Sequence, residues 1–272
     1  MKRRKTLEEQ YIYRLNRTEM KSRIQGLTGF EEERKKIKRL SKLIFGSTGE
    51  KISEYFEFLN INGNVLLFGK PGTGKTSICY ECMLEKPEAS FYQVNMSFLI
   101  SEKLGRTSRL ITELFEKVIS EAQEYPVFLL IEEVESFLPN REFSRDLEDM
   151  KRALTVFMQY MDKRIHNLMI LCTTNYIENL DPAIIRRFSY IFEVTNPDKK
   201  AVLEFLTSDK NPFAQYFKNK TINEKIADQV VSKKMTFSDI KANMRAIVLE
   251  NENIDQMDGR TLLNRLSEEN ER

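Results

Sequence analysis

The segment NVLLFGKPGTGKT, residues 64–76, constrains the fold more than any other stretch of this 272-residue chain. A short apolar run stops at a glycine, and Gly69-Lys70-Pro71-Gly72-Thr73-Gly74-Lys75-Thr76 then fits G-x-x-x-x-G-K-[ST] in full. Thr76 to about Lys86 reads as the helix that follows. A buried strand feeding a glycine-rich turn and a helix is the opening unit of a layered α/β fold. The glycines let backbone N–H groups turn inward onto phosphate oxygens, and the helix N-terminus adds positive dipole character at the same place. Gly69, Pro71, Gly72, Thr73, Gly74, Lys75, Thr76 and Ser77 are therefore expected to hold a nucleotide. Lys75 would bridge the β- and γ-phosphates, and the Thr76 hydroxyl would bind Mg²⁺.

Four more apolar runs follow: SFYQVNM, PVFLLIE, LMILCTTN and SYIFEV. They alternate with amphipathic segments. In RLITELFEKVISEA, Leu110, Leu114, Val118 and Ile119 share one side, and Leu147, Met150, Leu154, Phe157 and Met161 recur at helical spacing. Five apolar strands alternating with helices predict a parallel sheet covered on both faces. After Asn196-Pro197 only helical segments are evident, from DKKAVLEFLTS to TLLNRLSEE. The expected organisation is an N-terminal arm over 1–25, an αβα domain over 26–196 and a small all-α domain over 197–272.

The arm is basic. Residues 1–23 carry eight Lys or Arg against three Glu, although the whole chain has a net charge of only +2. Bulk charge thus gives no support to general polyanion binding. Leu7, Tyr11 and Leu15 fall four apart, which predicts a short amphipathic helix there. Cys79 and Cys82 form a C-x-x-C, but only Cys172 and His166 remain to complete a zinc site. Two small core residues on a helix face is the favoured reading. No apolar run approaches the ~20 residues needed to span a bilayer, and neither a signal-peptide core nor a transit peptide is evident. The expectation is a cytoplasmic protein with no membrane insertion.

VFLLIEE ends in two adjacent carboxylates about 60 residues after the glycine loop. GKPGTGKT, IEEVES, CTTN and LDPAIIRRF occur in the order and spacing of the AAA-family ATPases, which this chain resembles from about Gly26 to Leu249. The resemblance implies a P-loop NTPase αβα sandwich with a five-stranded parallel sheet and a helical lid. It also implies ATP and Mg²⁺ as cofactors and a homo-oligomeric ring, usually a hexamer, that pulls on proteins. Glu132 stands where the family has a Mg²⁺-side Asp, and Glu133 where its catalytic Glu polarises water. Asn175 matches the polar residue that helps hold that water, and Arg186 and Arg187 match arginine fingers reaching a neighbouring subunit. Ser238-Asp239-Ile240 resembles the start of the lid helix bordering the nucleotide, although the family's two small residues before that Asp are not both present; Arg245 lies on the same helix and is not assigned as a sensor arginine. The extra methylene of Glu132 leaves its charge unchanged, and Lys75, Glu133 and the arginines are all present. An active ATPase is therefore expected.

In the family's remodelers a loop after the second strand faces the pore and usually carries an aromatic. Here that position falls at about Lys103, followed by Leu104 and Gly105, with Phe98 nearby and expected in the core. IEEVESFLPNRE resembles the same segment in the ATPases that remodel HORMA-domain proteins. The favoured function is a ring motor that remodels a protein substrate or adaptor. A DNA-associated loader subunit, its basic arm on phosphates, and a weakly hydrolysing nucleotide-binding scaffold are the alternatives.

Overall fold

The computed structural model describes residues 11–46, 50–59, 61–99, 105–137, 144–250 and 258–268. Among the described residues six strands form one sheet: β1 (Tyr13–Arg14), β2 (Asn64–Phe68), β3 (Ser90–Asn95), β4 (Val127–Glu132), β5 (Leu168–Thr174) and β6 (Tyr190–Glu193). Their order is β1-β3-β4-β5-β2-β6. The five expected strands pair in parallel. The sixth, β1, runs antiparallel on the edge of β3, with Tyr13 opposite Gln93.

The helices are α1 (Arg17–Arg23), α2 (Glu31–Ile44), α3 (Glu50–Phe58), α4 (Lys75–Leu84), α5 (Met96–Leu99), α6 (Arg106–Ala122), α7 (Ser144–Met161), α8 (Pro182–Ile185), α9 (Lys199–Thr207), α10 (Lys220–Ser232), α11 (Phe237–Glu250) and α12 (Gly259–Glu268). None of the described helices is long and apolar enough to cross a membrane.

Period-two alternation sorts the strand side chains onto two cores. Leu66, Val94, Leu129, Ile131 and Ile170 pack with Leu114 and Val118 of α6 and Phe157 of α7 on one face. Val65, Leu67, Phe91, Phe128, Leu130 and Met169 pack with Ile37 of α2 and with Ile78, Cys79, Tyr80 and Cys82 of α4 on the other. α4 thus lies on one face while α6 and α7 lie on the opposite one. β2 and β5, adjacent at the centre, meet where the crossovers change face. Open α/β sheets bind ligands outside the carboxyl ends of strands at such a point.

The helix expected from Leu7, Tyr11 and Leu15 does not form as one unit. Tyr13–Arg14 is extended, and the Leu15 N–H donates to the Phe91 carbonyl at 3.0 Å. The open edge of β3 supplies backbone partners that a local helix would have forgone. Extension also puts Ile12 into the first core and Leu15 into the second. Asn16 then caps α1 by accepting from the Glu19 N–H at 2.8 Å. Leu7 lies outside the described residues.

α9 to α12 close around a third core that includes Phe205, Ile226, Ile240 and Leu262. Three contacts seat this layer beside the glycine loop. The Thr28 hydroxyl donates to the Ala201 carbonyl at 2.9 Å. Asn196 donates its amide to the Lys234 carbonyl. The Ser238 N–H donates to the Gly72 carbonyl at 3.3 Å. Phe98, expected inside, is instead 65% exposed on α5. The turn from β3 into that helix buries Met96 and Leu99 and leaves position 98 facing out.

Candidate active site

The loop between β2 and α4 needs its glycines at two places above all. Gly69 has φ +144°, and a Cβ there would lie 2.2 Å from the Val194 carbonyl oxygen. Gly72 has φ +80°, and its Cβ would lie 2.6 Å from the Cβ of Ser238. Thr73 is fully buried and its hydroxyl donates to the Lys70 carbonyl at 2.9 Å, closing the loop on itself. Gly69 and Thr73 therefore shape the loop. Pro71, Gly72, Gly74, Lys75, Thr76 and Ser77 line a cavity of about 370 Å³ at the N-terminus of α4. The Ser77 hydroxyl also donates to the Arg23 carbonyl at 3.1 Å, tying α4 to α1.

The opposite wall is made by strand ends. Glu132 and Glu133, Asn175, and Asn95 at the end of β3 all line the cavity. The Thr76 hydroxyl donates to Glu132 Oε1 at 2.8 Å, and the Gln93 amide donates to Oε2 of the same carboxylate. The Lys75 ammonium donates to Gly69 O at 2.7 Å, Lys70 O at 2.9 Å and Asn175 Oδ1 at 2.8 Å. Burial lowers the Lys75 pKa, with the Glu135 charge acting in the opposite direction. Glu133 has φ +57°, an uncommon backbone for a residue with a Cβ. The chain turns there, and the Ser136 N–H donates back to the Glu133 carbonyl at 2.9 Å.

Three contributors are not expected from the sequence. Glu135 accepts the Asn175 N–H at 2.9 Å, while its other carboxylate oxygen is buried without a hydrogen bond to any described residue. Gln93 holds Glu132. Lys241, on the lid-side helix α11, lines the cavity with Phe237 and Ser238, and with Gln25, Gly26 and Leu27 from the N-terminal segment. Its ammonium lies 3.4 Å from the Gln25 carbonyl, and burial lowers its pKa. No described carboxylate pairs with it. Asp239, by contrast, turns back to accept the N–H and hydroxyl of Thr236 at 2.7 and 2.8 Å, and closes a capping box with Thr236 at the start of α11. Arg245 lines a second cavity beside this one.

The two candidate arginines lie away from this cavity and differ from each other. Arg187 is held at 2.8 Å by the Asp162 carboxylate, and it also donates to the Ala183 carbonyl at 2.5 Å. The Arg186 side chain is exposed and pairs with no described residue. Lys103 and Leu104 lie outside the described residues, and Gly105 is the left-handed cap of α6.

The donor set fits the expected ligands. Backbone N–H groups at a helix N-terminus, Lys75 and Lys241 suit a polyphosphate, and the hydroxyl and carboxylate of Thr76 and Glu132 are hard oxygen donors suited to Mg²⁺. Residues 65–196 match the profile of the ATPase family associated with various cellular activities (AAA). Those residues form a domain of the AAA family. The chain is 31% identical over 208 residues to the proteasome-activating nucleotidase of Thermococcus onnurineus, covering 74% of this chain and 49% of that one. The chain spans 16 to 57% of the length of the curated relatives it matches.

Two solved structures share its fold. The structure of the HORMA:CdnC:Trip13 complex of E. coli MS115-1 superposes with a TM-score of 0.77 at 19% identity, covering 97% of this chain and 96% of that chain. The structure of C. elegans PCH-2 gives 0.64 at 19% identity, covering 96% and 75%. At that identity the likeness establishes the fold alone.

Proposed function

We propose that this chain hydrolyses ATP at seams between copies of itself, in a ring that remodels a protein partner. The observation that carries this reading is the constellation around one cavity: Lys75, Thr76, Glu132, Glu133 and Asn175 brought together from three separate segments. In this reading the loop N–H groups and Lys75 bind the β- and γ-phosphates, and Lys75 exchanges one of its present acceptors for a phosphate oxygen. Thr76 and Glu132 hold Mg²⁺, which when bound neutralises phosphate charge. Glu133 orients the attacking water and accepts its proton, and Asn175 fixes the water's position. Phosphoryl transfer asks the protein mainly for positioning and electrostatic stabilisation, which these groups supply.

Arg186 is assigned as the group that reaches the γ-phosphate of the next copy, because it is the unpaired member of the two. Arg187 is assigned to anchor the segment through Asp162. The substrate face of the ring is assigned to the end of β3 and the segment after it. Exposed Phe98 there offers an apolar contact beside the expected pore positions Lys103 and Leu104. The domain limits 26–196 and 197–272 belong to the same reading, with α9 to α12 as the lid. A HORMA-like partner is favoured by the fold shared with the HORMA:CdnC:Trip13 complex, which contains a HORMA protein, and by the likeness of IEEVESFLPNRE.

The test is a Glu133→Gln variant incubated with ATP and Mg²⁺. It should bind nucleotide, assemble stably, cease turnover and retain its protein partner through purification. Hydrolysis at the parent rate would refute the role of Glu133.

A further inference from the structure

The carboxylate at 132 is one methylene longer than the family's Asp, and the structure gives the longer side chain an additional holder. β3 and β4 run in parallel with Asn95 opposite Glu132 and Gln93 opposite Leu130. Side chains two apart share a face, so Gln93 and Glu132 are diagonal neighbours on the α4 side of the sheet. Gln93 Nε2 donates to Glu132 Oε2, while Thr76 donates to Oε1. The Tyr80 hydroxyl lies 3.0 Å from Gln93 Oε1, and Tyr80 is fully buried on α4.

The direction of this chain is fixed by chemistry. An ionised carboxylate only accepts, so the amide must turn its NH₂ to Glu132 and its carbonyl to Tyr80, whose hydroxyl must then donate. Both oxygens of Glu132 are thereby held, and the rotamer freedom of a side chain longer than Asp is removed in advance.

We propose that Gln93, oriented by Tyr80, is a positioning residue for the metal side of the site, and that Gln93 and Glu132 form a matched pair. This rests on the reading of Thr76 and Glu132 as the residues that hold a divalent cation. An Asp at 132 would draw the carboxylate back by about 1.5 Å, the length of one C–C bond. Gln93 would then lose its acceptor, and the Thr76 hydroxyl would lose its partner.

The test measures binding of a fluorescent ATP analogue to the full chain, in EDTA and across a Mg²⁺ titration. Gln93→Leu should raise the Mg²⁺ concentration for half-maximal tight binding about tenfold, the usual scale for groups that orient metal-site residues. Affinity in EDTA should stay at the parent value. Tyr80→Phe should shift the Mg²⁺ midpoint in the same direction by less. Glu132→Asp should also shift it, and adding Gln93→Leu to Glu132→Asp should shift it no further.

An unchanged Mg²⁺ midpoint in both Gln93→Leu and Tyr80→Phe would overturn the proposal. So would an equal loss of affinity with and without Mg²⁺, or full additivity in the double variant. Glu132→Gln separates this from the reading beneath it. If Glu132→Gln leaves the Mg²⁺ midpoint unmoved, the metal-side assignment itself fails. If it moves the midpoint while Gln93→Leu does not, only the matched pair fails.

Discussion

Gly72 of the glycine loop and Ser238 of α11 are in direct contact, with the Ser238 N–H donating to the Gly72 carbonyl at 3.3 Å. No side chain fits between them, since a Cβ on Gly72 would come within 2.6 Å of Ser238 Cβ and 2.9 Å of Thr236 Oγ1. The loop and the helical layer therefore meet backbone to backbone at the mouth of the nucleotide cavity. Gly72→Ala should force the two apart as well as straining a left-handed residue, at a cost of about 1–3 kcal/mol. Thermal melts should show that loss, and nucleotide titration should show weaker binding. Parent-like values in both would mean that the contact is not required.

Lys241 brings a cation to the cavity from α11 with no described carboxylate to balance it. Lys241→Ala should weaken ATP binding by about 1.5–3 kcal/mol, the scale of a charge-assisted hydrogen bond. The melting temperature without nucleotide should change little. Unaltered affinity would remove Lys241 from the site.

Glu133 stands at φ +57°, where glycine is favoured. Glu133→Gly should therefore stabilise the fold by as much as about 1 kcal/mol while eliminating turnover. Chemical denaturation beside an ATPase assay checks both halves. A clear loss of stability would show that the backbone at 133 carries no strain.

Arg34 grips Glu81 with Nε at 2.6 Å from Oε2 and a terminal nitrogen at 2.5 Å from Oε1, joining α2 to α4. Burial alone would raise the Glu81 pKa, but hydrogen bonds and charge from Arg34 and Lys38 outweigh it and hold the carboxyl below its ordinary 4.5. In acid the unfolded chain thus binds more protons at this position than the folded one, so stability rises with pH through that window. The contribution is full above about pH 4.5 and is lost as pH falls through the folded value. Glu81→Gln should cost about 1.5–3 kcal/mol at neutral pH and flatten the acid limb of the stability profile. A variant with the parent's acid limb would contradict this.

The glycine loop is legible in the sequence because its spacing is a backbone requirement, and Glu132 and Glu133 because an apolar run must end where its strand leaves the core. Phe157 and Val118 are legible because helical periodicity forecasts the face they bury. Gln93 is not legible. Its role depends on the register of β3 against β4, which no local pattern specifies. Lys241 and Glu135 escape for the same kind of reason, since each acts across segments far apart in sequence. The Tyr13–Arg14 strand escapes because two extended residues carry almost no periodic signal, and its pairing depends on an edge formed about 80 residues later. Phe98 departs from its expected place because apolar character alone does not compel burial, and single exposed apolar residues are common.

Arg186 and Arg187 are adjacent but not equivalent. Arg187→Ala should lower stability modestly, by up to about 1 kcal/mol, since its Asp162 partner is half exposed. Arg186→Ala should leave stability unchanged and reduce turnover by about 10³-fold or more. Matched melts and ATPase rates decide it. Equal behaviour of the two variants would cancel the distinction.

The most direct test of hydrolysis at a seam between copies is mixing two inactive variants. Arg186→Ala keeps its own loop and Glu133, and Glu133→Gln keeps its Arg186. Co-assembled, they should recover a substantial part of the parent ATPase rate, because some seams then join an intact cavity to an intact arginine. A mixture that co-assembles and binds ATP but stays as inactive as each variant alone would contradict the account.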